Sequence, residues 1–305
     1  MKPYRSMLFV PGHKATWVEK AIAAGPDAVI LDLEDSVPAA LKSDARQVVR
    51  DTIHRLRDET ARVDVWVRPN SLESGLFGAD VESVVTAGLC GVLLPKIFSS
   101  ADVVRIDAVV SHLEQREGIM PGSIGLLVSF ETAAAIACCE QIAAVSPRVA
   151  SVLGVTGPAA DVGREIGFEF TPEGLETLYL RSRIVLAARA AGLLHPICGV
   201  WQHIADLSGL RYFAEDNRRL GYRGMVLIHP SHVAVANDVF TPSAETVQYY
   251  RRLIDVFRAA EANGSAAVEF EGQLIDLAHV KTAESIIDLA EAIRSPAVDR
   301  QTEAQ

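Results

Sequence analysis

Several ionisable side chains stand just beyond short apolar runs, which are typical of buried strands. Glu131 and Arg68 each follow such a run directly, and Asp161 lies a few residues beyond another. Two carboxylates without a His or Cys cluster are typical of a site for a hard cation such as magnesium, which prefers oxygen ligands. A guanidinium nearby suits the capture of a carboxylate or the stabilisation of an oxyanion. A plainer role for Asp161 is a helix N-cap.

Three further charged residues follow apolar runs in the same way. Glu34 and Asp35 come after one run, and Lys96 comes after another. A plainer role for Arg68 is a salt bridge to Glu34 or Asp35, and such a pair would also orient the arginine. Lys96 suits the attraction of a phosphate or carboxylate group, and its plainer role is a pair with Glu131 or Asp35.

The elements that must position these residues alternate between strand and helix. Eight apolar runs bounded by turn residues predict eight strands, over residues 4–10, 28–33, 63–67, 91–94, 124–130, 149–155, 197–201 and 225–228. Eight strand–helix units in about 240 residues predict a (β/α)8 TIM barrel, in which the strand C-termini converge on the active site. A doubly wound open sheet is the alternative, and it is disfavoured because no G-x-G-x-x-G follows the first strand.

The pattern changes after the eighth unit. We therefore predict a catalytic barrel over residues 1–240 and a C-terminal extension over 241–305 that packs on the barrel mouth or on a neighbouring subunit. The extension is predicted to be a helix, a hairpin and a second helix, over 243–262, 267–276 and 277–293. Within the barrel, the small-residue segment 133–145 is predicted to be one continuous helix.

The bulk composition narrows the class of protein. The chain has 305 residues and a net charge of −10, which opposes nucleic-acid binding because that needs clustered Lys and Arg. The four cysteines form no C-x-x-C pair, so buried free thiols are expected. Neither a signal peptide nor an apolar run of the ~18 residues that a membrane helix requires is found. We expect a soluble cytoplasmic protein that binds no membrane.

Seven short motifs follow one another in a specific order. They are RSMLFVPG at 5–12, LDLEDSV at 31–37, VRPN at 67–70, LPK at 94–96, ETA at 131–133, IHP at 228–230, and Gly272 four residues before Asp276. Together they resemble the citrate lyase beta-subunit-like family of the HpcH/HpaI aldolase superfamily, to which malyl-CoA and citramalyl-CoA lyases also belong. The resemblance covers residues 4–290.

The resemblance implies a magnesium-dependent enzyme that makes or breaks a carbon–carbon bond next to a carbonyl. By position, Glu131 and Asp161 correspond to the two metal ligands, and Arg68 to the arginine that binds the oxo acid. Asp276 corresponds to an acid/base aspartate that the C-terminal extension of a neighbouring subunit lends to the site. The family is usually trimeric or hexameric, so a homo-oligomer is expected.

The implied reaction cleaves or forms a malyl-, citramalyl- or citryl-CoA type of thioester, giving an acyl-CoA and a 2-oxo acid. The predicted catalytic residues are Arg68, Asp276, Glu34 and Asp35. The predicted substrate contacts are Arg68, Lys96, Pro158 and Ala159. Two alternatives stay open, namely a class II aldolase acting on free pyruvate-derived acids without coenzyme A, and a non-catalytic barrel subunit.

Overall fold

The computed structural model describes residues 2–58, 63–157 and 161–294. The chain divides into two compact units, Pro3–Phe240 and a C-terminal unit that begins at Thr241. The strands of the first unit are β1 Ser6–Pro11, β2 Ala28–Asp32, β3 Asp64–Arg68, β4 Leu89–Leu94, β5 Gly125–Phe130, β6 Val149–Val155, β7 Ile197–Gly199 and β8 Gly224–Leu227. Its helices are α1 Ala15–Ala23, α2 Lys42–Asp58, α3 Phe77–Val84, α4 Ser100–Arg116, α5 Ala133–Ala137, α6 Cys139–Ala144, α7 Asp161–Ile166, α8 Leu175–Ala190, α9 Leu207–Leu220 and α10 Val233–Phe240.

The eight strands form a closed parallel barrel in sequence order, because β1 pairs with both β2 and β8. Strands of such a barrel are covered on both faces, and β2 accordingly buries all five of its residues. This confirms the predicted (β/α)8 barrel and excludes the open doubly wound sheet. The hydrophobic core of the unit is one continuous cluster of side chains contributed by the strands and the surrounding helices.

The barrel interior identifies which strand residues face the mouth. Trp66 lies inside the barrel against Gly91 and Gly125, and a Cβ placed on Gly91 would lie only 2.2 Å from the Trp66 ring. Alternate residues of a strand share a face, so Arg68 points to the same side as Trp66. Asp32 is the register partner of Arg68 and therefore faces the mouth as well.

Several predicted elements differ from the structure. Strand β1 begins two residues after its predicted start, at Ser6, and β4 begins two residues before its predicted start, at Leu89. The single helix predicted over 133–145 is wrong, because Cys138 has φ −125° and ψ 29° and separates α5 from α6. The Cys138 thiol contacts the carbonyl oxygens of Ala134 and Phe98 at this break. Strand β7 ends at Gly199, two residues before the predicted end.

The C-terminal unit contains α11 Ala244–Ala262, β9 Ala267–Phe270, β10 Gln273–Asp276 and α12 Leu277–Arg294. This is the predicted helix, hairpin and helix. Phe257, Phe270 and Ile275 belong to its own hydrophobic cluster. The two-residue loop Glu271–Gly272 joins the strands, and both residues have positive φ, at 48° and 79°. Within the described ranges, no helix is long and apolar enough to span a bilayer.

Candidate active site

Arg68, the last residue of β3, is held by Asp32, the last residue of β2. The Arg68 Nε and Nη2 groups donate to the two Asp32 carboxylate oxygens at 2.7 and 2.8 Å. Burial alone would raise the pKa of Asp32, but the hydrogen bonds and charge of Arg68 bring it below its usual range. The Arg68 Cζ atom also lies 4.7 Å from the centre of the Phe9 ring. The arginine is therefore a fixed, permanently charged group at the mouth.

The Arg68 guanidinium keeps part of its donor capacity. Its Nη1 atom lies 3.1 Å from Oε2 of Glu34, in addition to the two hydrogen bonds to Asp32. A guanidinium carries five N–H groups in a planar fork. Glu34 Oε2 accepts no hydrogen bond among the described residues, so at least one N–H on each terminal nitrogen is left for a ligand. Such a pair suits bidentate recognition of a carboxylate.

Glu34 and Lys96 extend the network from Arg68. The Lys96 ammonium lies 2.7 Å from Oε1 of Glu34 and 3.4 Å from the Asp35 carboxylate. Burial raises the pKa of Glu34, although the positive charges of Arg68 and Lys96 act in the opposite direction. Asp35 is exposed. The predicted pair of Arg68 with Glu34 is confirmed. The predicted pair of Lys96 with Asp35 is present as well, but Lys96 lies closer to Glu34, which was not among its predicted partners.

Glu131 follows the end of β5 and is buried. Its Oε1 accepts the Lys96 backbone N–H at 2.6 Å, and its Oε2 accepts the Ser129 hydroxyl at 3.1 Å. Burial raises the pKa of Glu131 to about 7, and the negative charge of Glu34 adds to this shift. The next residue, Thr132, caps α5, so the strand ends at the carboxylate and the helix begins directly after it.

Asp161 is the first residue of α7, close to its predicted plainer role as a helix cap. Its carboxylate lies 2.9 Å from Nη2 of Arg164, which is itself 81% exposed. The same helix reaches the β5 end, because the Glu165 carboxylate accepts the Ala133 backbone N–H at 3.0 Å. In the described part of the chain no direct contact joins Asp161 to Glu131.

The remaining predicted residues lie apart from this network. Pro158 and Ala159 fall outside the described residues. Asp276 belongs to the C-terminal unit, where it ends β10 and accepts the Ala278 backbone N–H at the start of α12. Its Oδ1 lies 2.8 Å from the His279 ring, and hydrogen bonding to His279 lowers the pKa of Asp276.

Asp32 is the site residue that the sequence did not single out. The predicted strand 28–33 runs through it, so it counted as strand interior. A charged residue inside an otherwise fully apolar strand is nevertheless a signal, because buried carboxylates need a charged partner. That partner is Arg68.

The charges of the site fit a divalent cation. Among the described residues, the carboxyl groups of Asp32, Glu34, Asp35 and Glu131 lie in one network with two cationic side chains, Arg68 and Lys96. When all are ionised, two negative charges remain in excess. The described residues contain no group of three or more His, Cys, Asp or Glu side chains arranged to hold a metal. Magnesium needs only one or two protein carboxylates, with water and ligand oxygens completing its shell. Glu131 and Asp161 carry oxygen ligands of the type that magnesium prefers.

A closed (β/α)8 barrel with an arginine and carboxylates at its strand ends is the architecture of a barrel enzyme. The chain belongs to the HpcH/HpaI aldolase/citrate lyase family, whose model matches residues 5–230. The predicted family is thereby confirmed.

Three relatives are similar to the chain over nearly its whole length. The L-malyl-CoA/beta-methylmalyl-CoA lyase of Cereibacter sphaeroides is 36% identical, over 96% of each chain. The citrate lyase subunit beta of Haemophilus influenzae is 33% identical, over 96% of this chain and 98% of its own. The crystal structure of CitE from Mycobacterium tuberculosis, in complex with magnesium, acetoacetate and coenzyme A, is 30% identical. It has a TM-score of 0.72 and covers 95% of this chain and 98% of its own.

Proposed function

We propose that the chain is a magnesium-dependent carbon–carbon lyase. It cleaves a 3-hydroxyacyl-CoA type of thioester, such as malyl-, citramalyl- or citryl-CoA, into an acyl-CoA and a 2-oxo acid, or it forms the thioester from these two compounds. The observation that carries this proposal is the fixed Arg68 guanidinium, with N–H groups left for a carboxylate, in the same network as buried Glu131. The lyases among its relatives, and the CitE complex with magnesium and coenzyme A, support it.

The residues of the mouth divide the reaction between them. Arg68 binds the carboxylate of the oxo-acid part, and Asp32 keeps the guanidinium in place. Glu131 and Asp161 would hold the magnesium ion, which would supply Lewis-acid polarisation of the keto oxygen. In the cleavage direction a base removes the proton of the substrate hydroxyl, the carbon–carbon bond breaks, that oxygen becomes the keto oxygen, and the bonding electrons pass to the enolate of the acyl thioester. The positive charges of Arg68 and Lys96 stabilise the negative charge that oxygen carries during these steps. Glu34 and Asp35 place the Lys96 ammonium.

The proton of the acyl product comes from the C-terminal unit in this proposal. Asp276 delivers it to the enolate carbon of the leaving acyl thioester, and it removes that proton in the direction of bond formation. We propose that Asp276 serves the barrel of a neighbouring subunit in a homo-oligomer, a trimer or a hexamer. Four free cysteines support a reducing compartment, so we propose the cytoplasm as its location.

A substrate panel with metal removal tests the function. Malyl-, citramalyl-, citryl- and methylmalyl-CoA, and the free hydroxy-oxo acids, are each supplied with magnesium or with a chelator. We expect at least one thioester to be cleaved, and only when magnesium is present. Its rate of cleavage should exceed that of every free acid. If only the free acids are cleaved, the chain is a class II aldolase. If nothing is cleaved, it is a non-catalytic subunit.

The metal assignment has a separate test. Glu131→Ala removes a carboxylate from the buried strand end, and we expect magnesium affinity and activity to fall at least about tenfold. Calorimetric titration with magnesium and turnover of the active thioester measure the two effects. If the variant keeps both, Glu131 is not a metal ligand.

A further inference from the structure

Asp32 makes more contacts than a simple ion pair requires. Its Oδ1 accepts from Arg68 Nε at 2.7 Å and from the Glu34 backbone N–H at 2.9 Å. Its Oδ2 accepts from Arg68 Nη2 at 2.8 Å and from the hydroxyl and backbone N–H of Ser36. One carboxylate, only 1% exposed, therefore fixes both the guanidinium and the loop that carries Glu34.

A second buried pair shows what a structural arginine–carboxylate contact looks like in this barrel. Arg148 donates bidentately to Glu114 at 2.8 and 2.9 Å, and the Glu114 side chain is 0% exposed. Glu114 also accepts the Ile124 backbone N–H, just before β5. Arg148 in turn lies just before β6, so this pair stands at the opposite end of the strands. Breaking either pair leaves a buried charge without its partner and should destabilise the fold.

The Asp32–Arg68 pair differs in what it leaves open. In the Glu114–Arg148 pair the guanidinium also donates to the Ile124 carbonyl, to Asp107 and to the Ser111 hydroxyl. All three of its nitrogens are thus committed to the protein. The Arg68 hydrogen bonds with described residues leave at least one N–H on each terminal nitrogen. The Arg148 guanidinium therefore has no N–H left for a ligand, whereas the Arg68 guanidinium has free N–H groups at the barrel mouth.

We propose that Asp32 is a positioning residue that orients the Arg68 guanidinium for bidentate binding of the substrate's oxo-acid carboxylate. This inference rests on the proposed function. Asp32 binds the edge of the guanidinium formed by Nε and Nη2, so the edge formed by Nη1 and Nη2 is left to bind the ligand. Asp32 also accepts the Glu34 backbone N–H and thereby fixes the loop that carries Glu34, whose carboxylate lies 3.1 Å from Arg68 Nη1.

The variant Asp32→Asn keeps the shape but changes the chemistry. The amide has one oxygen acceptor, and its N–H₂ group faces a guanidinium that only donates. Arg68 then loses a charged partner while Glu34 stays beside Nη1, so the guanidinium turns towards Glu34. A carboxylate ligand loses one or both charge-assisted hydrogen bonds, which corresponds to about 10- to 100-fold in affinity.

The experiment compares two probes in the presence of magnesium, pyruvate and its neutral analogue pyruvamide. Isothermal titration gives both dissociation constants for the wild type, Asp32→Asn and the matched control Glu114→Gln. We expect Asp32→Asn to weaken pyruvate at least tenfold and pyruvamide less than threefold, with magnesium affinity within twofold of the wild type. Glu114→Gln should leave all three affinities unchanged, even where thermal unfolding shows that both variants lose stability.

Each other result overturns the inference. An equal loss for both probes, or the same loss in Glu114→Gln, assigns Asp32 a structural role only. Tighter pyruvate binding in Asp32→Asn would mean that Asp32 merely neutralises Arg68. Failure of the proposed function is distinguishable, because the wild type would then cleave no thioester, whether or not it still binds the two probes. If Asp32→Asn does not fold, Ser36→Ala removes one Asp32 contact, and an unchanged ratio of the two dissociation constants in it opposes the inference.

Discussion

Lys96 contacts its two nearest carboxylates, Glu34 and Glu131, through two different groups. Its ammonium lies 2.7 Å from Glu34, and its backbone N–H donates to Glu131 at 2.6 Å. The residue has φ 49°, in the left-handed region that costs a residue with a Cβ about 1–2 kcal/mol. Strain of this kind persists at sites where the surrounding contacts enforce it. The contacts of Lys96 with Glu34 and Glu131 enforce its left-handed backbone in this way.

Replacing Lys96 by Ala or by Gly separates the two contributions. Both variants lose the ammonium beside the buried Glu34, but only Gly relieves the left-handed backbone. We expect Lys96→Gly to be more stable than Lys96→Ala by about 1 kcal/mol in urea unfolding. Both variants retain the N–H that binds Glu131, so their magnesium affinities should agree.

Lys20 provides the matched control, because it is an exposed residue of α1. There the order of the two variants should reverse, with Gly less stable than Ala by up to about 1 kcal/mol. The same order at both positions would show that the Lys96 backbone is not strained.

Residue type and position along a strand decided which site residues could be predicted. Arg68 and Glu131 were found because each ends or follows an apolar run, where a barrel exposes its functional groups. Lys96 was found on the same grounds, and its predicted ion pair with Asp35 forms at 3.4 Å. Its closer partner Glu34 was missed, because partners depend on which side chains meet across strands. Asp32 was missed since a strand prediction treats its interior as core.

At the scale of elements, a fully buried strand was predictable, whereas a break inside a helix was not. Strand β6 has the predicted bounds, because a strand buried on both faces must be apolar throughout. The break at Cys138 between α5 and α6 was not predictable, since the run of small residues around it favours helix formation throughout. That break depends on tertiary contacts of Cys138, which the local sequence does not encode.

The hairpin of the C-terminal unit depends on one glycine. Glu271 and Gly272 form a two-residue loop with both φ values positive, as a type I′ turn requires. A Cβ added at Gly272 would meet nothing within 4 Å. The cost of a side chain there is therefore conformational and not steric.

Gly272→Ala should weaken the hairpin by about 1–2 kcal/mol, the cost of a left-handed residue with a Cβ. Hydrogen exchange of the β9 and β10 amides reports this local opening directly, and it should accelerate about 5- to 30-fold. Gly78→Ala is the matched control, because Gly78 is also open around its Cα but lies in α3 without positive φ. Gly78→Ala should leave the stability unchanged or raise it slightly. An equal loss of stability in Gly272→Ala and Gly78→Ala would rule out the turn as the cause.

At the scale of the whole molecule, the proposed chemistry is divided between two units with separate cores. The barrel carries Arg68, Glu131 and Asp161, whereas Asp276 stands in the C-terminal unit with a side chain 55% exposed. Its Oδ1 caps α12 and contacts His279. An exposed aspartate at the end of a strand can meet a substrate held elsewhere. Which barrel it serves depends on the surfaces that associate, and a hydrophobic pattern does not specify these.

Subunit complementation tests the arrangement that we propose. Arg68→Ala and Asp276→Ala chains are each expected to be inactive, and they are mixed in equal amounts under conditions that exchange subunits. A shared site needs Arg68 from one chain and Asp276 from its neighbour, so random assembly in a closed ring restores about 25% of the sites. Thioester cleavage measures this recovery, and size-exclusion chromatography confirms the exchange. A control mixture of Arg68→Ala with Glu131→Ala stays inactive, because both changes fall in the same barrel. If the exchanged oligomers of the first mixture recover nothing, each barrel uses the Asp276 of its own chain or does not use Asp276.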